Sequence, residues 1–157
     1  MAFQSTIYSS QALGKPGTIA RLENLNKVPR VAEKDVVAGQ FVFDGTNPET
    51  QVVGASSDTA ALTAVVGIAV FEKMQWNASG APTLNINDGE ELALVRSGYV
   101  YVKSTTASTY GQVVGMDPAT GDIKTAASAG ALAAGYIDTG WVVETGNAAG
   151  EVCEIRK

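Results

Sequence analysis

Apolar residues come in short runs along most of the chain, and most runs end at a turn-forming pair. Gln40-Phe41-Val42-Phe43 stops at Asp44-Gly45, and Thr50-Gln51-Val52-Val53 reads as the return strand of a hairpin. Ala64 to Phe71 is rich in Val and Ile and predicts a buried strand. Thr83 to Asn87 alternates polar and apolar before Asp88-Gly89. Glu91 to Arg96 predicts another strand, and Ser97-Gly98 a turn into Tyr99-Val100-Tyr101-Val102-Lys103. Gln112-Val113-Val114 leads to the turn Asp117-Pro118-Ala119-Thr120-Gly121, with Ile123 starting the return. Tyr136-Ile137, Trp141-Val142-Val143 and Val152-Cys153-Glu154-Ile155 supply the last strands. Strands this closely spaced predict an all-β, barrel- or sandwich-like domain. The Ala-rich stretches Ser56–Ala64 and Thr125–Ala134 lack an amphipathic stripe, so helix is expected only as short turns.

The first 30 residues read differently. Phe3, Ile7, Tyr8, Leu13, Ile19, Leu22 and Leu25 are sparse apolar anchors with neither a strand nor a helix period. Gly14-Lys15-Pro16-Gly17 breaks the segment. The expected layout is an extended arm over residues 1–30, with a short strand near Thr18–Arg21, followed by a β domain over 31–157. An arm of this kind buries its apolar groups mainly against another body. A faint repeat relates residues 36–71 to 108–138. Gly39-Gln40-Phe41-Val42 resembles Gly111-Gln112-Val113-Val114, and Gly67-Ile68-Ala69-Val70 resembles Gly135-Tyr136-Ile137.

Charge and composition narrow the chemistry. The chain has no histidine, which removes the commonest general base and metal ligand. One cysteine, Cys153, supports neither an intramolecular disulfide nor zinc spacing. The net charge is −5 and the basic residues are scattered along the sequence, which argues against nucleic acid as a ligand. Met1 to Gly17 has no basic or continuous apolar region, so no secretory leader is expected, and no apolar run approaches a membrane span. Charged residues make up only 17% of the chain, a surface that either expects cover from partners or is simply rich in Thr, Ser, Asn and Gly.

The candidate catalytic groups are all better read as structure. Asp44, Asp58, Asp88, Glu90, Glu91, Asp117 and Asp122 mostly sit beside Gly or Pro, where a carboxylate caps turn amides. Asp117 to Asp122 lacks the spacing and closing Glu of a calcium loop. No serine has a histidine to activate it, and no SxxK motif is present. No cofactor is called for. Trp76 and Trp141 are candidates for an oligomer or partner interface, or for a stacking platform, beside the commoner use of tryptophan in core packing.

Several stretches together resemble a known family. Met1-Ala2-Phe3-Gln4-Ser5-Thr6-Ile7-Tyr8 and Gly14-Lys15-Pro16-Gly17-Thr18-Ile19-Ala20-Arg21 resemble the start of structural cement proteins of tailed bacteriophages. Val37 to Val42, Gly67 to Val70, Gly98 to Val102, Gly111 to Val114 and Gly135 to Ile137 continue the likeness. Asp44 to Gly98 is more loosely similar to the lambda-type head decoration protein. The resemblance implies a β-tulip-like body, no enzymatic activity, and a place on the outer surface of a virion after synthesis in the host cytoplasm. It implies that the major capsid protein is the partner, with self-association as a homotrimer ahead of a homodimer and no membrane or nucleic-acid ligand. Phe3, Ile7, Tyr8 and Leu13 then become the expected capsid-binding arm. The competing expectations are a carbohydrate- or receptor-binding β module of a tail or fibre, using Trp76 or Trp141, and, more remotely, a hydrolase.

Overall fold

The computed structural model describes residues 14–70, 75–76 and 82–157. Among these, helix is limited to the single 3₁₀ turns Ser57–Thr59 and Ala129–Ala131. Strands β1 (Ile19–Ala32), β2 (Val36–Val37), β3 (Phe41–Asp44), β4 (Gln51–Val53) and β5 (Gly67–Val70) lead through the short pair β6 (Gln75–Trp76) and β7 (Pro82–Thr83) to β8 (Asn85–Ile86). The long β9 (Glu91–Lys103) follows, then β10 (Val113–Met116), β11 (Ile123–Ala126), β12 (Ile137–Thr145) and β13 (Val152–Arg156).

One mixed sheet carries most of the chain, in the order β1-β4-β3-β5-β9-β13-β12-β10-β11. Because β1 also pairs with β9, its first five strands close into a ring. Closure pairs the end of β1 on both sides, Val31 with Gln51 and with Glu91, and so shortens the open edge that would otherwise template aggregation. From β9 and β13 outward the order is mirrored: β5, β3, β4 on one side and β12, β10, β11 on the other. Each outer triplet has its 3₁₀ turn before the strand that rejoins the centre.

Two apolar clusters sit on opposite faces of the shared strands. Val42, Ala69, Leu92 and Leu94 join Ala32 and Val52 inside the ring, and the ribbon β2–β8 adds Val36 and Ile86 to this cluster. Phe41, Phe43, Ile68, Val70, Ala93 and Val95 point the other way, into a second cluster with Val114, Met116, Ile123, Trp141, Val143, Cys153 and Ile155. The central strands are therefore buried on both faces, which explains the unbroken apolar run Gly67–Val70.

The structure changes two expectations. Ser97-Gly98 is not a turn: β9 runs through it, with Gly98 at φ +128°. Four residues of β1, Leu22 to Leu25, stand opposite Gly98 alone, between the pairs Arg21–Tyr99 and Asn26–Ser97. This bulge shifts the side-chain alternation of β9 by one, so Val100 and Val102 join the same cluster as Ala93 and Val95. The short strand expected near Thr18–Arg21 is a strand of 14 residues. Residues 19–30 thus belong to the body rather than to an arm. Their period was hidden because one face and one edge of β1 meet solvent, leaving few apolar anchors.

Candidate interaction surface

The N-terminal segment enters the body through a tight clamp. Gly17 donates its amide to the Tyr101 carbonyl at 2.8 Å, and the Thr18 amide and hydroxyl both bond the Lys15 carbonyl. A Cβ on Gly17 would lie 2.6 Å from the Gly39 nitrogen, and one on Gly39 would lie 2.7 Å from the Gly17 nitrogen. Gly14 packs directly on the Tyr101 ring, leaving no room for a side chain. The point from which the preceding residues depart is therefore fixed over the outer face of β9. Phe3, Ile7, Tyr8 and Leu13 lie outside the described residues.

Beside this point, β1, β9, β13 and β12 present a chain of charges. Arg21 Nε lies 2.8 Å from Glu154 Oε1, and the guanidinium stacks on Tyr99 at 4.8 Å. Arg156 Nε lies 2.6 Å from Glu144 Oε2, and Thr145 donates to Glu154 at 3.2 Å. Glu154 is buried, and Arg21 is its charged partner. Residues 19–30, 95–103 and 155–157 adjoin one another and hold seven of the eleven basic residues, with Glu23 among them and Glu154 and Glu144 paired to Arg21 and Arg156. What is scattered in sequence is gathered in space.

Trp141 is not an interface residue. It is 1% exposed, with Phe41 edge-on at 6.2 Å in the core beside β10 and β13. Its run of Val neighbours on a central strand is the sequence signal for that burial. Trp76 falls on β6, paired with Pro82 of β7.

The carboxylates behave as turn chemistry. Asp117 accepts bonds from the Ala119 amide and the Thr120 hydroxyl, both at 2.9 Å, and these hold its carboxyl below the usual range. Thr46 does the same for Glu33, and Lys34 for Asp58. Among the described residues no cluster of three or more potential ligands is arranged to hold a metal ion, and no helix is long and apolar enough to cross a membrane. Cys153 is buried, and burial pushes its thiol pKa up, away from the reactive thiolate.

The family model described as structural cement protein (E217 gp24/Pam3 gp6) matches residues 3–157. The chain belongs to the phage structural cement protein family. This places it among the structural proteins of the phage capsid. Two solved structures share the cement fold. A chain from the capsid of Myoviridae Phage XM1 is 17% identical, with a TM-score of 0.66, covering 99% of this chain and 97% of that one. The head fibre gp8.5 N base of bacteriophage phi29 is 9% identical, with a TM-score of 0.51, covering 84% and 92%. At these identities the likeness concerns the fold alone. No curated protein matches the chain.

Proposed function

We propose that this cement protein binds the outside of an assembled phage head and bridges neighbouring major capsid subunits, holding them against internal DNA pressure. The family match carries the capsid role. The observation that supports bridging is the clamp at Gly14–Thr18, which ties an N-terminal segment with apolar Phe3, Ile7, Tyr8 and Leu13 to a rigid body. A body and a tethered arm that contact different shell subunits resist their separation, because tethering makes the second contact intramolecular. Binding the assembled lattice but not free subunits stabilises the lattice by linkage. Strand addition by the arm to an exposed shell edge supplies the main-chain bonds that side-chain burial alone does not. Self-association, as a trimer ahead of a dimer, multiplies these contacts. The alternative of a glycan- or receptor-binding module loses Trp141 to the core.

Cement-free heads of the parent phage, mixed with full-length protein and with a variant lacking residues 2–13, test this reading. The full chain is expected to decorate the outer surface saturably, in hundreds of copies, and to raise the temperature at which heads release DNA. The truncated protein is expected to stay folded and to bind at least tenfold more weakly. Absence of decoration by the full chain would sink the proposal, and unchanged affinity of the truncated chain would remove the arm from it.

A further inference from the structure

The clamp that holds Gly14 also sets a direction. Thr18, just before β1, accepts the Tyr101 amide at 3.0 Å, so it lies beside β9 in the plane of the sheet. Gly14 rests instead on the Tyr101 ring, above that plane. The turn Lys15–Thr18 joins the two, closed by the Thr18 amide on the Lys15 carbonyl at 3.1 Å. Followed backwards from Thr18, the chain therefore leaves the β1 side and moves over the outer face of β9, toward β13.

The face it enters is made of polar groups that largely satisfy one another. Val102, Cys153 and Val143 point into the core, so Tyr101, Glu154 and Glu144 share the opposite face. Tyr101 stands opposite Glu154 on β13, and Glu154 opposite Thr145 on β12. Glu154 is only 5% exposed although it faces out of the sheet. Arg21 Nε approaches its Oε1 at 2.8 Å but out of line, so this buried oxygen accepts no hydrogen bond. Arg156 pairs with Glu144 alongside, and exposed Lys103 lies one row away, opposite Val152. Arg21 and Arg156 thus cancel Glu144 and Glu154. Residues 1–13 contain no charged side chain, so laying them over this network leaves no charge without its partner. Ser9, Ser10 and Gln11 carry the hydroxyl and amide donors that the open Glu154 oxygen lacks.

We propose that the outer face of β9, β13 and β12 is the docking surface for residues 9–13 of the same chain, which cross it as a strap and donate a hydrogen bond to Glu154. The lengths agree. Two strand spacings of about 4.8 Å separate β9 from β12, about 10 Å in all, and five extended residues span about 16 Å. Phe3, Ile7 and Tyr8 then lead off beyond β12. The strap goes beyond the cement reading and does not depend on it. Joined to that reading, it fixes the side of the body from which the arm reaches a neighbouring shell subunit.

The test is nuclear magnetic resonance on the full-length protein, free of heads, with a nitroxide attached to Ser9→Cys. Cys153 is buried, so the label goes to position 9 alone. The nitroxide is expected to broaden the amides of Glu144 and Thr145 on β12 more than those of Arg21 and Glu23 on β1. The amides of residues 10–13 are expected to exchange about tenfold or more slowly than in a synthetic peptide of residues 1–13. Equal or stronger broadening on β1, or peptide-like exchange, overturns the strap. Mixing labelled protein with unlabelled, nitrogen-15-enriched protein separates the copies: broadening of β12 that arises wholly between molecules puts the segment on a sister copy and overturns it as well. Because no head is present, a failure to decorate heads would overturn the cement reading and leave the strap standing.

Discussion

Gly17 and Gly39 both hold left-handed backbone, at φ +79° and +89°, and each would drive a Cβ into the other's main chain. Gly89 has almost the same φ, +80°, with nothing within 4 Å of its Cβ position. The three glycines therefore separate conformational strain from steric exclusion. Gly89→Ala is expected to cost about 1 kcal/mol, the strain alone. Gly17→Ala and Gly39→Ala are expected to cost roughly 2–4 kcal/mol, since overpacking against backbone adds to it. Urea denaturation midpoints at unchanged slope would measure the difference, and equal effects at all three sites would mean the clamp is loose. The sequence marks Gly14-Lys15-Pro16-Gly17 as a break, because glycine and proline act locally. It does not mark Gly39 as the opposite jaw, because that pairing is tertiary. Trp141 was ambiguous for the same reason: a tryptophan on an apolar strand suits a core or an interface, and only the neighbouring strands decide.

At the scale of elements, β3, β4, β5, β10 and β13 fall where apolar runs and turn pairs place them, while β1 and β9 do not. Each of these long strands contains the bulge, and a bulge imitates a turn in sequence by interrupting the alternation. The outer edge of the sheet shows a feature that no period announces. β11 has no strand beyond it, yet its outward groups are covered by the loop after β9. Thr105 donates its amide to the Ile123 carbonyl at 2.8 Å, and Thr106 Oγ1 accepts from the Thr125 amide at 2.9 Å. Thr125 Oγ1 in turn donates to the Ala107 carbonyl at 3.1 Å. The loop thus blunts an edge that would otherwise pair with another chain. Thr106→Val keeps the shape but leaves the Thr125 amide without its acceptor. It is expected to lower stability by about 1–2 kcal/mol and to speed hydrogen exchange at Thr125 more than at Lys124, whose neighbours on β10 are unchanged. Equal protection at Thr125 in both proteins would show that the loop does not guard the edge.

Across the whole molecule, the ring and the outer strands share β3, β5 and β9 as a common wall, each contributing side chains to both clusters. Neither half can expose that wall without uncovering Phe41, Phe43 or Val95, so the described body is a single cooperative unit. The all-β class was legible because strand runs and turns are local; the ring closure was not, because it depends on β1 meeting β9 across the length of the domain. The dependence of that unit on pH follows from its titratable groups. With no histidine, no side chain has an ordinary pKa between about 5.5 and 7, and burial moves the Cys153 thiol further upward. The groups that matter are carboxyls: Glu33 lowered by Thr46, Asp58 by Lys34 and Asp117 by the Ala119 amide and Thr120 hydroxyl. A lowered folded-state pKa means that the native state binds fewer protons than the unfolded chain just above it, so stability rises with pH there. The contribution is fully present above the unfolded values, about 4, and is lost as pH falls through the lowered ones. Asp58 is exposed and Glu33 and Asp117 are half-buried at the surface, so solvent screening keeps each contribution small. The melting temperature is therefore expected to be level from about pH 5.5 to 7 and to fall gradually below about pH 4. Calorimetry across that range checks it: a step near pH 6 would require a carboxyl raised well above its ordinary range, and a level profile down to pH 2 would show that these carboxylates do not stabilise the fold.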